Sequence, residues 1–133
     1  MPVEFGRIEE TIQWGRPREL RGHVGDVIDL AWTNNSQHLV SASLDGTSIL
    51  WSIQQNRFQK VQTFEGHRKF VQGVCIEPNF KYVATQSSDS TVRLYKNRKL
   101  KNQVQFYLQH VSQMIISSNL LIHSRRFSNK EKK

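Results

Sequence analysis

The chain repeats itself. Slid by 44 residues, the sequence matches Gly22-His23 with Gly66-His67, Val27 with Val71, Asn35 with Asn79, Ser43 with Ser87, Asp45 with Asp89, Thr47 with Thr91 and Leu50 with Leu94, all without a gap. Trp51 falls on Tyr95, an aromatic for an aromatic. Such a period constrains the fold strongly, because a unit of this size cannot bury its apolar face alone and must stack on a neighbour. A period of about 40 to 45 residues suggests a four-stranded propeller blade.

Each copy reads as strands separated by turns. In the first, β-branched and aromatic runs predict strands over 26–32, 38–43, 47–53 and 58–64, with Asn34-Asn35 and Leu44-Asp45-Gly46 as turns. In the second, the same order predicts strands over 70–76, 81–85, 91–96 and 104–110, turning at Pro78-Asn79 and Ser88-Asp89-Ser90. The expected fold is therefore all-β, about two complete blades at 22–65 and 66–110 with flanking strands. Residues 1–21 carry an outer strand of a preceding blade at 11–20, and 111–133 diverge. The next Gly-His should fall at 110 and 111, where the chain has His110-Val111. Within the divergent segment 114–122 is apolar enough for a strand or short helix, and 123–133 is polar, basic and expected to be disordered. The chain is expected to begin and end mid-propeller.

Charge is distributed unevenly along the 133 residues. Residues 1–95 hold ten Lys/Arg and ten Asp/Glu, whereas 96–133 hold nine Lys/Arg and only Glu131, so the net charge of +8 lies entirely after Tyr95. Phosphate contacts, if the chain makes them, are therefore expected from Lys96, Arg98, Lys99, Lys101, Arg125 and Arg126, giving weak DNA binding through a basic tail. No apolar run reaches the roughly 18 to 20 residues of a membrane-crossing helix, and residues 1–10 lack the order of a signal peptide. The protein is expected to stay inside the cell, with no membrane partner. The single cysteine, Cys75, supplies neither an internal disulfide nor a thiolate-rich metal site. His38, His110 and His123 show no metal-ligand spacing and no glycine loop cradles a phosphate, so neither metal nor cofactor is expected.

The pattern Gly-His, then Asp after 22 residues, then an aromatic, resembles the WD40 repeat over about residues 12–110, most closely in Ser41-Ala42-Ser43-Leu44-Asp45-Gly46-Thr47-Ser48-Ile49-Leu50-Trp51. That resemblance implies a hydrogen-bonded tetrad at His23, Ser43, Asp45 and Trp51, and a second at His67, Ser87, Asp89 and Tyr95, in which a phenol must replace the indole. The chemistry suits burial. An indole N–H donates to a hydroxyl, the hydroxyl donates onward to an imidazole, and the imidazole donates to a carboxylate. Ser, His and Asp are also the side chains of hydrolase triads. No nucleophile-elbow sequence surrounds Ser43, however, and a set that recurs 44 residues later is a structural unit, so no enzyme activity is expected.

The second copy narrows the resemblance further. Gly66-His67-Arg68-Lys69-Phe70-Val71-Gln72-Gly73-Val74, Tyr82-Val83-Ala84-Thr85-Gln86-Ser87-Ser88-Asp89 and Val92-Arg93-Leu94-Tyr95 are similar to the propeller subunits of chromatin assembly factor 1. The related histone-regulation propellers of the replication-independent pathway fit as well. The chain departs from that pattern at Ile76-Glu77-Pro78, where Trp-Asp-Pro is usual, and beyond about Met114. The resemblance implies a nuclear, non-catalytic scaffold working with larger and smaller subunits in histone H3–H4 deposition at replication or repair. Histones are basic and this body is neutral, so histone contact is expected to be indirect.

Overall fold

The computed structural model describes residues 14–113. Eight strands follow one another: β1 (Val27–Trp32), β2 (His38–Ser43), β3 (Ser48–Gln54), β4 (Arg57–Phe64), β5 (Val71–Ile76), β6 (Tyr82–Ser87), β7 (Thr91–Asn97) and β8 (Phe106–Gln113). They form two antiparallel four-stranded meanders, β1-β2-β3-β4 and β5-β6-β7-β8. These are two blades of a propeller. Each strand expected within the two repeats is present, with ends displaced by at most a few residues.

The largest displacement is at β8, which begins at Phe106 and runs to Gln113, past the expected blade boundary at residue 110. The cause is a longer hairpin. Leu50 pairs with Gln62 in the first blade, but Leu94 pairs with His110 in the second, so the second hairpin holds four more residues. The first closes on Gln55 and Asn56, the second on Lys101 and Asn102, all four with positive φ. Two consecutive residues of that kind make the primed turn whose twist matches a hairpin. The insertion also shifts the 44-residue register, so no Gly-His could be expected at 110 and 111.

The strand expected at 11–20 is not formed in its described part. Trp14 to Leu20 carries no ladder, and residues 11–13 lie outside the described residues. A strand needs a neighbour for its N–H and C=O groups. Leu20 nevertheless packs on the cluster of Leu39, Ile49 and Trp51, as Phe64 packs 4.5 Å from the Tyr95 ring one repeat later.

The main core lies between the blades. Val40, Leu50 and Phe64 of the first blade meet Val83, Tyr95 and Phe106 of the second, with Val74, Ile76, Phe80 and Val104 at the margin. Polar staples fix the contact. Asp29 Oδ2 accepts the N–H of Val74 at 3.0 Å, Asn34 Nδ2 donates to the Pro78 carbonyl at 3.0 Å, and the Gln62 amide bonds both the N–H and the C=O of Phe106. On the far side of β1, Leu30 and Trp32 are 52% and 53% exposed, although Val74 and Ile76 at the matching positions of β5 are covered by the first blade. One blade-facing surface is thus open in these residues.

Candidate functional site

Two constellations draw attention because they gather His, Asp and hydroxyl groups. In the first blade, Asp45 accepts from His23 Nδ1 at 2.9 Å, from the Val24 N–H at 3.0 Å, and from the Thr47 hydroxyl at 2.6 Å and N–H at 2.8 Å. His23 Nε2 lies 2.6 Å from Ser41 Oγ, which also accepts the Trp51 indole N–H at 2.9 Å. The carboxylate can only accept, so Nδ1 donates to it. In the neutral imidazole Nε2 then accepts the serine proton, and every member is engaged.

The hydroxyl is therefore Ser41, not Ser43. Ser43 Oγ instead accepts the N–H of Asp45 at 3.1 Å and closes the turn. Leu39 pairs with Trp51 and Ser41 with Ile49, which sets Ser41 beside the indole on one sheet face, whereas Ser43 ends the strand and bonds the backbone two residues on. The same correction holds in the second blade. Thr85 Oγ1 takes the place expected for Ser87, 2.8 Å from His67 Nε2, while Ser87 Oγ accepts the Asp89 N–H and donates to the Phe70 carbonyl. His67 Nδ1 is 3.0 Å from Asp89 Oδ2, and Thr91 and the Arg68 N–H bond the same carboxylate. Tyr95 does not complete the set: its buried hydroxyl lies near Thr85 and Arg93 without a hydrogen bond of ordinary geometry.

The electrostatics follow from these partners. Burial alone would raise the Asp45 pKa, but hydrogen bonds from Thr47, His23 and Val24 outweigh it and hold the carboxyl at about 2. Asp89 is likewise held well below the usual carboxylate range, burial again being overcome by Thr91, Arg68 and His67. Burial lowers the His67 pKa, Asp89 opposing and Arg93 assisting. Burial also raises that of the Tyr95 phenol, so it stays neutral. Both His–Asp pairs are almost wholly buried, and so are the Ser41 and Thr85 side chains they bond. Each constellation ties one sheet edge to the loop that precedes it.

The opposite end of the blades differs. An antiparallel meander brings the β1–β2, β3–β4, β5–β6 and β7–β8 turns to one edge, and this edge carries Arg57, Lys81, Lys96, Arg98, Lys99 and Lys101. The carboxylate of its β5–β6 turn, Glu77, is fully buried and accepts the N–H groups of Asn79 and Lys81. Asp26, Asp45, Glu65 and Asp89 all lie toward the other edge. Lys96, Arg98, Lys99 and Lys101, singled out above for phosphate contact, are exposed here, with the Arg98 guanidinium 5.9 Å from the Tyr107 ring centre. Arg125 and Arg126, and the apolar stretch 114–122, lie outside the described residues. No group of three or more His, Cys, Asp or Glu among the described residues is arranged to hold a metal.

Against known proteins, residues 3–129 match the family described as the CAF1B/HIR1 beta-propeller domain. The chain belongs to this family. Among its relatives, the HIR1 protein of Mycosarcoma maydis is 39% identical over 69% of this chain and 9% of its own length. A chromatin assembly factor 1 subunit of Gallus gallus is 38% identical over 64% of the chain and 15% of its own. The chromatin assembly factor 1 subunit FAS2 homolog of rice is 40% identical over 73% and 20%. The chain thus spans a fifth or less of the length of these relatives. The crystal structure of Saccharomyces cerevisiae Sqt1 superposes with a TM-score of 0.62 at 16% identity, over 70% of this chain and 24% of that one, and carries the fold alone.

Within the CAF1B/HIR1 propeller frame, sequence reasoning passed over Ser41, Thr85, Thr47 and Thr91. The threonines Thr47 and Thr91 were legible, since each stands two residues after its aspartate in both repeats. Ser41 was not, because Ser41-Ala42-Ser43 offers two hydroxyls on one face of a strand.

Proposed function

We propose that this chain is a non-catalytic propeller scaffold of a nuclear chromatin assembly complex, acting with larger and smaller subunits in histone H3–H4 deposition during replication or repair. The observation that carries the reading is the family match across nearly the whole chain, together with relatives named both as chromatin assembly factor 1 subunits and as HIR1. Between those two branches we favour the first, on Val71-Gln72-Gly73-Val74 and the tyrosine near the end of β7, Tyr95. A scaffold role also suits the His–Asp constellations, whose polar groups are consumed internally and leave no activated hydroxyl facing solvent.

The charge layout supports indirect histone contact. Histones are basic and favour an acidic surface, whereas the hairpin edge here is basic and the carboxylates Asp45 and Asp89 are buried in their pairs. Histones would then reach the complex through another subunit.

Affinity purification of the tagged chain from nuclear extract, probed for the large subunits of both assembly pathways and for H3–H4, tests the reading. Recovery of the replication-coupled large subunit with H3–H4 is expected. Recovery of the replication-independent partner alone would move the chain to the HIR1 branch, and recovery of neither would sink the scaffold role.

A further inference from the structure

A cleft of about 470 Å³ opens between the outer corners of the two blades, at the basic edge. One wall is a row of polar side chains across three strands. His38 pairs with Ser52 and Ser52 with Gln59, so the three share the face toward the second blade, with Gln54 two residues along β3. The other wall is the tip of the longer β7–β8 hairpin, Asn102 and Gln103. Lys60 also lines the cleft, and no carboxylate does.

His38 fixes the inner end of the first wall. The residue is 9% exposed, its ring lies 4.8 Å from Phe80, and its Nδ1 is buried without a hydrogen-bond partner. Nδ1 is closed to solvent, so His38 enters the site as a rigid wall braced against Phe80 rather than through that nitrogen.

We infer that this cleft is a binding site for an extended acidic peptide, its main chain held between the two hairpins and its carboxylates met by Lys99 and Lys101. The lining selects the main chain: primary amides and a hydroxyl donate and accept at once, as a peptide backbone requires. Charge selects the side chains, because Lys99 and Lys101 flank the hairpin tip, no carboxylate lines the cleft, and Glu77 of the β5–β6 turn is buried and occupied by backbone N–H groups. Nucleic acid fits less well. Single strands are held by stacking on exposed aromatic faces, and none of the lining residues is aromatic apart from the buried His38 ring already against Phe80. The site does not depend on which assembly pathway the chain serves.

Fluorescence anisotropy of the 133-residue chain with fluorescein-labelled hexaglutamate, at low salt, reads the site directly. Saturable binding is expected. The exposed pair Lys99→Glu/Lys101→Glu should weaken it about tenfold or more, and Gln59→Ala/Gln103→Ala several-fold with no change in salt dependence. Lys69→Glu, at the opposite edge, should leave it unchanged, and circular dichroism confirms that each variant remains folded. Absence of saturable binding overturns the proposal. So does full affinity in the glutamine double variant, which would reduce the effect to unspecific charge attraction, and so does a DNA oligonucleotide that outcompetes hexaglutamate at equal charge.

Discussion

Trp51 donates its indole N–H to Ser41 Oγ at 2.9 Å, while Tyr95, one repeat later, leaves its hydroxyl beside Thr85 without a hydrogen bond. The two blades therefore share a His–Asp–Thr frame but differ in its last link. The first is closed by an indole hydrogen bond to the shared hydroxyl, a link that the Tyr95 phenol does not make.

Removing the shared hydroxyl should be felt more in the first blade. Ser41→Ala strands both the indole N–H and a His23 nitrogen, at a cost of about 1 to 3 kcal/mol, whereas Thr85→Ala strands only His67. Urea denaturation should rank Ser41→Ala as the more destabilising. Ser43→Ala, which removes a turn contact, should cost less than Ser41→Ala; the reverse order would return Ser43 to the tetrad.

Acid should unfold the chain in two stages. The folded pKa values of His38 and His67 are lowered by burial, so the stability tied to their neutral forms is complete above the unfolded value of 6.5 and lost as pH falls below it. Asp45 and Asp89 are also depressed, from 3.8, so their contribution holds above pH 4 and disappears toward pH 2. Melting temperatures recorded from pH 8 to pH 3 should fall first below pH 6.5 and again below pH 4. Asp89→Asn should reduce the second fall, leaving the part due to Asp45, and deepen the first, because it removes the carboxylate that opposes the lowering of the His67 pKa.

The Ile76-Glu77-Pro78 departure from Trp-Asp-Pro is compensated by capping. Glu77 is fully buried, and its two oxygens take the N–H groups of Asn79 and Lys81. Glu77→Ala should cost about 1 to 3 kcal/mol by leaving both donors unpaired, and Glu77→Asp should recover part of that loss. Thermal melts of the two variants side by side check it.

The open face of β1 should govern self-association. Leu30 and Trp32 are half exposed, so each Lys substitution in Leu30→Lys/Trp32→Lys gives up only the buried half of its packing and should cost about 1 to 2 kcal/mol. Light scattering should fall in the double variant at concentrations where the parent chain associates. Unchanged scattering would mean that another surface drives association.

The sequence by itself determined the blade count, the strand order and the two pairs His23–Asp45 and His67–Asp89, because a gapless 44-residue repeat carries both the strand alternation and the spacing of loop to turn. The family resemblance was legible in the same residues. Tertiary structure alone decided which hydroxyl completes each set, since Ser41 and Ser43 lie on one strand face and only the position of Trp51 across the ladder separates them. It alone decided where the charges gather. Residues 1–95 are neutral when counted along the chain, but folding sends Arg57 and Lys81 to the same edge as Lys96, Arg98, Lys99 and Lys101, and most carboxylates to the other. A meander reverses direction at every turn, so residues far apart in sequence share an edge. The cleft exists for the same reason: His38, Gln59 and Gln103 meet only when the second blade packs on the first.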